Sequence, residues 1–129
     1  MVATADTIGA MKTVAVIGAS SNRAKYGNRA LRAYRRRGYR VIPINPNEPE
    51  VEGLRTYASV LDVPGTIDMA TVYVPAVVGV KVMDDLAGKG IKEVWLNPGA
   101  DDPAVVARAR DLGLEPIMAC SIVAIGEVP

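Results

Sequence analysis

The chain contains no histidine and no phenylalanine, and it has one cysteine and one tryptophan. Without histidine, neither a Ser-His-Asp nor a Cys-His catalytic arrangement can be assembled within it, and no phosphohistidine can form. A lone Cys120 excludes an internal disulfide and a Cys/His zinc site. A reducing, cytoplasmic environment is the expectation. Aromatic residues make up 5% of the chain, too few for a stacking platform, so no nucleic-acid partner is expected. No apolar run approaches the ~20 residues of a membrane span. The opening MVATADTIGA carries Asp6 and lacks a basic start followed by a long apolar stretch, so it does not read as a secretory signal. No membrane partner is expected.

What is present is ordinary for a globular domain: 129 residues, half of them hydrophobic and 22% charged. The net charge of +1 is unevenly spread: residues 1–40 carry +8 and residues 41–129 carry −7. Such asymmetry points either to an anionic partner near the N-terminal third or to a solvated basic helix face.

Residues 1–11 read as a loose leader, and residues 12–129 as one domain. Thr13–Gly18 is a continuous, β-branched apolar run, the pattern of a strand buried on both faces. A polar loop, Ala19–Tyr26, leads into a helix over 27–37 with Ala30, Leu31 and Tyr34 on its inner face. Tyr39–Ile44 is a second strand. Glu48–Gly53 reads as polar turn and Thr56–Leu61 as a short helix. Asp68–Val74, Lys92–Leu96 and Glu115–Ala119 are further strands. Between them lie a helix with Val78, Val82, Met83 and Leu86 inward and another started by Asp101-Asp102-Pro103. Strands alternating with helices call for a doubly wound, five-stranded parallel α/β sheet, Rossmann-like, with expected order 3-2-1-4-5. The closing stretch Ile122–Ile125 suits either a dimer edge or core packing.

In such sheets ligands sit beyond the carboxyl ends of the strands. The first loop, Gly18-Ala19-Ser20-Ser21-Asn22-Arg23-Ala24-Lys25-Tyr26-Gly27, lies where backbone amides and a helix dipole receive phosphate. It is not G-x-G-x-x-G, since Ser20 and Arg23 stand at two glycine positions, and it is not a Walker A loop. The second strand ends Ile44-Asn45-Pro46 without the acid that holds a nicotinamide ribose. A phosphate loop and a plain βα turn both remain open on these residues.

The ordered set Gly18-Ala19-Ser20, Lys25-Tyr26-Gly27-Asn28, Gly38–Pro46, Glu50–Gly53, Tyr57–Val60, Val74-Pro75, Val94–Ala100 and Cys120 resembles the small single-domain CoA-binding proteins. These are similar to the CoA-binding domain of the succinyl-CoA synthetase α subunit. The resemblance covers about residues 12–122. It implies a Rossmann-like domain holding coenzyme A, or an acyl-CoA, across its strand ends. The ligase chemistry of those relatives uses a histidine on a further domain, and this chain has no histidine, so binding without catalysis is the expectation, with no metal.

On this reading the diphosphate lies on Gly18, Ala19, Ser20, Ser21, Tyr26 and Gly27, with Arg23 or Lys25 meeting the ribose 3′-phosphate. Asn45 and Pro46 border the adenosine, and Val74 and Pro75 the switch point. Asn97, Pro98 and Gly99 carry the pantetheine amides, and Cys120 stands by the thiol, either as a partner in a mixed disulfide or as an inert buried residue. Arginines 29, 32 and 35–37 read as solvated helix surface. The competing functions are a small NAD(P)-binding oxidoreductase or its subunit, and a regulatory scaffold with a vestigial pocket. A homodimer and a separate protein partner are both left open.

Overall fold

The structure, a computed structural model, describes residues 12–129. The reading of 1–11 as a leader falls outside the described residues. In chain order the elements are β1 (Thr13–Ile17), α1 (Tyr26–Arg36), β2 (Arg40–Ile44), β3 (Glu50–Val51), β4 (Leu54–Arg55), β5 (Met69–Val72), α2 (Ala76–Lys89), β6 (Glu93–Leu96), α3 (Pro103–Asp111), β7 (Glu115–Met118) and α4 (Ser121–Ala124). A single 3₁₀ turn, Val60–Asp62, precedes β5.

β1 is buried at every position because it is an interior strand of a five-stranded parallel sheet. Its side chains alternate between two apolar clusters. Val14 and Val16 pack with Ala30, Leu31 and Tyr34 of α1 and Ile122 of α4. Ala15 and Ile17 pack with Met83 and Leu86 of α2 and Val105 and Ala109 of α3. Helices therefore cover both faces, and a continuous apolar run is what such a strand requires. α3 starts as its sequence dictates: the Asp102 carboxylate accepts from the Ala104 N–H at 2.9 Å, and Pro103 occupies the first turn.

The doubly wound parallel class is as expected, but the strand order is not. The sheet runs β2-β1-β5-β6-β7, which is 2-1-3-4-5 by main strand rather than 3-2-1-4-5. β5 pairs with β1, Val14 opposite Met69 and Ile17 opposite Val72, leaving β2 at an edge. The reason lies in Pro43. Its carbonyl accepts from Tyr57 N–H on the outer side of β2, the side toward which its own missing N–H would point. A full strand added there would lack a ladder bond, so proline keeps β2 at the rim. The other edge strand, β7, likewise carries a proline, Pro116, and the three inner strands carry none.

Three local expectations are corrected. Glu48–Gly53 is not simply a turn, because β3 and β4 form a hairpin through Glu52 (φ 50°) and Gly53 (φ 79°) that buries Val51 against the α1 side of the core. Thr56–Leu61 is not a helix: Tyr57 bridges to Ile44 on the β2 edge, and only Val60–Asp62 turns helically. Val78 does not join the inner face of α2 but is exposed, while Gly79 is buried and packs on Val105.

The closing stretch forms α4. Its Ile122 is fully buried in the chain's own core and Val123 is exposed. Arg36 and Arg37 are tied to this segment rather than merely solvated: both pair with Glu127, at 2.9 and 3.3 Å, and Arg37 Nε donates to the Ile125 carbonyl at 2.8 Å.

Candidate functional site

After β1 the chain passes to α1 on one face; after β5 it passes to α2 on the other. The connections leaving these adjacent strands part to opposite faces, and a cleft of 480 Å³ lies between them. Gly18, Ser20, Lys25, Tyr26 and Gly27 line it from the first loop. Asn45 and Glu48 enter from beyond β2, Tyr73, Val74 and Pro75 from beyond β5, and Pro98, Gly99 and Ala100 from beyond β6.

Two glycines make the close approach possible. Gly18 has φ +89°, and a Cβ there would stand 3.0 Å from both the Tyr73 carbonyl oxygen and a Val74 methyl. At Gly27 a Cβ would overlap the Gly18 carbonyl, so the first turn of α1 rests directly on the end of β1. Lys25 is the extended N-cap residue of α1, with no side-chain cap and no acidic residue in the first turn. α2 begins in the same way behind Pro75. Both of these helix starts border the cleft, whereas α3, which is capped by Asp102, does not. First-turn amides and the helix dipole are thus left for an anion.

The loop is held by buried polar groups. Asn28 is fully buried; its amide donates to the Ser20 carbonyl at 2.8 Å and to Glu52 at 3.1 Å, and its oxygen accepts from Arg32 Nε at 2.7 Å. Asn45 donates to the Ala19 carbonyl at 2.7 Å, tying the first loop to the end of β2. Hydrogen bonding from Asn28, aided by the charge of Arg23 at 3.3 Å, holds the Glu52 carboxyl below the usual carboxylate range. Glu48, whose two oxygens accept from the Ser21 N–H, is lowered first by hydrogen bonding from the Ser21 side chain, then by that N–H, and to a smaller extent by the Ser20 hydroxyl and the charge of Lys25.

Two further cavities adjoin the cleft. One, of 370 Å³, shares Gly18, Asn45 and Val74 with it and lies between the end of β2 and α2, walled by Ile44, Pro46, Val78 and Val82 with Lys81 and Asp85 also lining it. The other, of 210 Å³, shares Tyr26, Tyr73 and Pro98 and includes Asn97 and Cys120 in its lining. Together they make a long trough with a polar middle and more apolar ends.

Most residues expected at the site from sequence meet along this trough; some do not. Ala19 is fully buried in the core. Ser21 has its amide on Glu48. Arg23 lines none of the three cavities and pairs with Glu52. Asn97 is almost wholly buried: its amide donates to Thr71 Oγ1 at 2.7 Å and the Val72 carbonyl at 3.1 Å, and its oxygen accepts from Ser121 N–H at 2.9 Å. Its side chain is thus committed to β5 and the start of α4, although the residue lines the smaller adjoining cavity. Sequence reading missed Glu48, Tyr73 and Ala100 in the cleft wall. Tyr73 directly precedes Val74-Pro75 and Ala100 directly follows Gly99, so adjacency was a usable signal for both; for Glu48 the signal was its place in the loop beyond the end of the second strand.

A glycine-tightened βα loop at the switch point of a parallel sheet defines a nucleotide-binding α/β domain. The chain belongs to the CoA binding domain family, whose model matches residues 12–126. It is 40% identical over 81 residues to the ADP-forming acetate–CoA ligase of Methanocaldococcus jannaschii, covering 63% of this chain and 12% of that protein. The chain thus spans about an eighth of the length of that ligase. Among solved structures it is similar to a conserved hypothetical protein from Pyrococcus furiosus, with a TM-score of 0.81 and 35% identity over 88% of this chain and 99% of the other. It is also similar to the dinucleotide-forming acetyl-coenzyme A synthetase 1 of Ca. Korarchaeum cryptofilum, with a TM-score of 0.74 and 29% identity over 90% of this chain and 28% of that one. Among the described residues no helix is long and apolar enough to cross a membrane.

Proposed function

We propose that the chain binds coenzyme A or an acyl-CoA along the trough and does no chemistry on it by itself. The carrying observation is the uncapped start of α1 beside Lys25, in a chain matched by the CoA binding domain family over residues 12–126. The diphosphate rests on the Tyr26 and Gly27 amides and Lys25. The adenosine enters the cavity beside Asn45 and Pro46, and the pantetheine runs past Tyr26, Tyr73, Pro98 and Gly99 toward Cys120. Coenzyme A carries about four negative charges at neutral pH, two of them on its phosphomonoester, which suits a ligand met by amides and a lysine. Lys25, rather than Arg23, is the cation in the cleft wall, so the 3′-phosphate reading is kept for Lys25 alone.

Thermal unfolding with coenzyme A, acetyl-CoA, NADH and ATP tests this. Stabilisation follows occupancy, about 2.7 kcal/mol at a hundredfold excess over Kd. Stabilisation by the coenzyme A ligands alone is expected. A response to NADH alone would support the oxidoreductase reading, and no response the vestigial one. The Cys120 disulfide is tested by intact mass after incubation with CoA disulfide: thiolate attack would join Cys120 to one CoA and release the other as the thiol.

A further inference from the structure

Glu48 sits in the wall of the cleft, on the segment that leaves β2. Both its carboxylate oxygens lie within hydrogen-bond distance of one donor, the Ser21 backbone N–H of the first loop, at 3.1 and 3.0 Å. A main-chain amide at this point of a βα loop is the group that phosphate oxygens use. Here an anion belonging to the protein already holds it, through a charge-assisted bond.

The backbone around Glu48 is anchored. Thr56 donates its hydroxyl to the Glu48 carbonyl, Thr56 N–H reaches the Pro49 carbonyl at 3.2 Å, and Asn47 N–H reaches Asn45 Oδ1 at 2.8 Å. The side chain itself is partly exposed, and the donors that reach its carboxylate, the Ser21 N–H and the nearby Ser21 and Ser20 hydroxyls, all belong to the first loop. It can swing away without opening the core. Glu52, the other carboxylate near this loop, differs: Asn28 and Arg23 hold it from two sides. Lys25 makes no ion pair among the described residues and lines the same cleft as Glu48.

We propose that Glu48 is a specificity-determining residue: it occupies the anion seat on the Ser21 amide, and a phosphate-bearing ligand gains that seat only by displacing it. The proposal rests on the coenzyme reading for the identity of the natural ligand, but the seat itself is testable with inorganic pyrophosphate. Any anion that uses the seat must first break the carboxylate–amide bond and then bear the nearby negative charge. A neutral nucleoside that occupies only the apolar end of the trough is indifferent to it.

The test is calorimetric titration of the wild type and of Glu48→Gln and Glu48→Ala with coenzyme A, pyrophosphate and adenosine. Folding of each variant is checked by thermal unfolding. Both variants are expected to bind coenzyme A and pyrophosphate about tenfold more tightly than the wild type, the size of one charge-assisted hydrogen bond. Adenosine affinity should not change. Equal or weaker binding of both anions by the variants overturns the proposal and makes Glu48 a ligand contact or a bystander. If no protein binds coenzyme A while the variants still gain affinity for pyrophosphate, the seat stands and the coenzyme reading fails. Failure of all three proteins to bind either anion removes both.

Discussion

Gly27 bears the tightest steric constraint near the cleft. A methyl group there would strike the Gly18 carbonyl, which is backbone and cannot rotate aside. Gly27→Ala is therefore expected to push α1 off the end of β1, costing about 1–3 kcal/mol and abolishing ligand-dependent stabilisation. Denaturant unfolding with and without coenzyme A measures both, and an unchanged midpoint would show that the loop yields. Lys25→Ala should leave stability nearly unchanged, since the side chain caps nothing, while weakening coenzyme A binding about tenfold. Equal calorimetric affinity would remove Lys25 from the phosphate. Asn97→Ala belongs to a different class. It strips Ser121 N–H and Thr71 of a buried partner, and a stranded buried donor costs about 1–3 kcal/mol. Its effect should appear as a lowered thermal midpoint without ligand, larger than that of Lys25→Ala.

Among the elements, the β3–β4 hairpin is the one that joins structure to site. It carries Glu52 to Asn28 and Arg23, and the strand-to-hairpin linker carries Glu48 to Ser21. The folded pKa of Glu52 lies below its unfolded value of about 4.3, so the hairpin gains stability from the charged form above that pH. That gain disappears as pH falls through the lower, folded pKa. Acidification should thus lower the denaturation midpoint of the wild type more than that of Glu52→Gln. Identical slopes below about pH 4 would remove Glu52 from the brace. Strands of two residues are too short to show alternation, so this hairpin was illegible in the sequence beyond its turn residues. The basic face of α1 was visible, but not how it divides. Arg32 bonds Asn28 and the Arg23 carbonyl, Arg36 and Arg37 hold Glu127, and Arg29 lies 5.2 Å over the Tyr26 ring.

For the whole molecule, the coenzyme reading predicts an ordered response: coenzyme A should stabilise the fold more than dephospho-CoA, because the latter lacks the phosphomonoester charge. Equal shifts in thermal midpoint at matched concentration would place the 3′-phosphate in solvent, away from Lys25. The sequence by itself determined the layer architecture. Thr13–Ile17 is apolar throughout because both faces are covered, and Asp102-Pro103 starts a helix through bonds made within three residues. Such signals are short-ranged, and a single chain displays them openly. Tertiary structure alone decided which strands are neighbours, since that rests on hydrogen bonds between residues some fifty positions apart, such as Tyr73 N–H to the Ile17 carbonyl. The proline at the β2 edge recorded the answer but acquires its meaning only when the outer side of that strand is known. About half that distance, 24 to 27 positions, separates Glu48 from Ser21 and Asn97 from Thr71 and Ser121, so neither the cleft carboxylate nor the bonds that bury the Asn97 side chain were legible in the sequence.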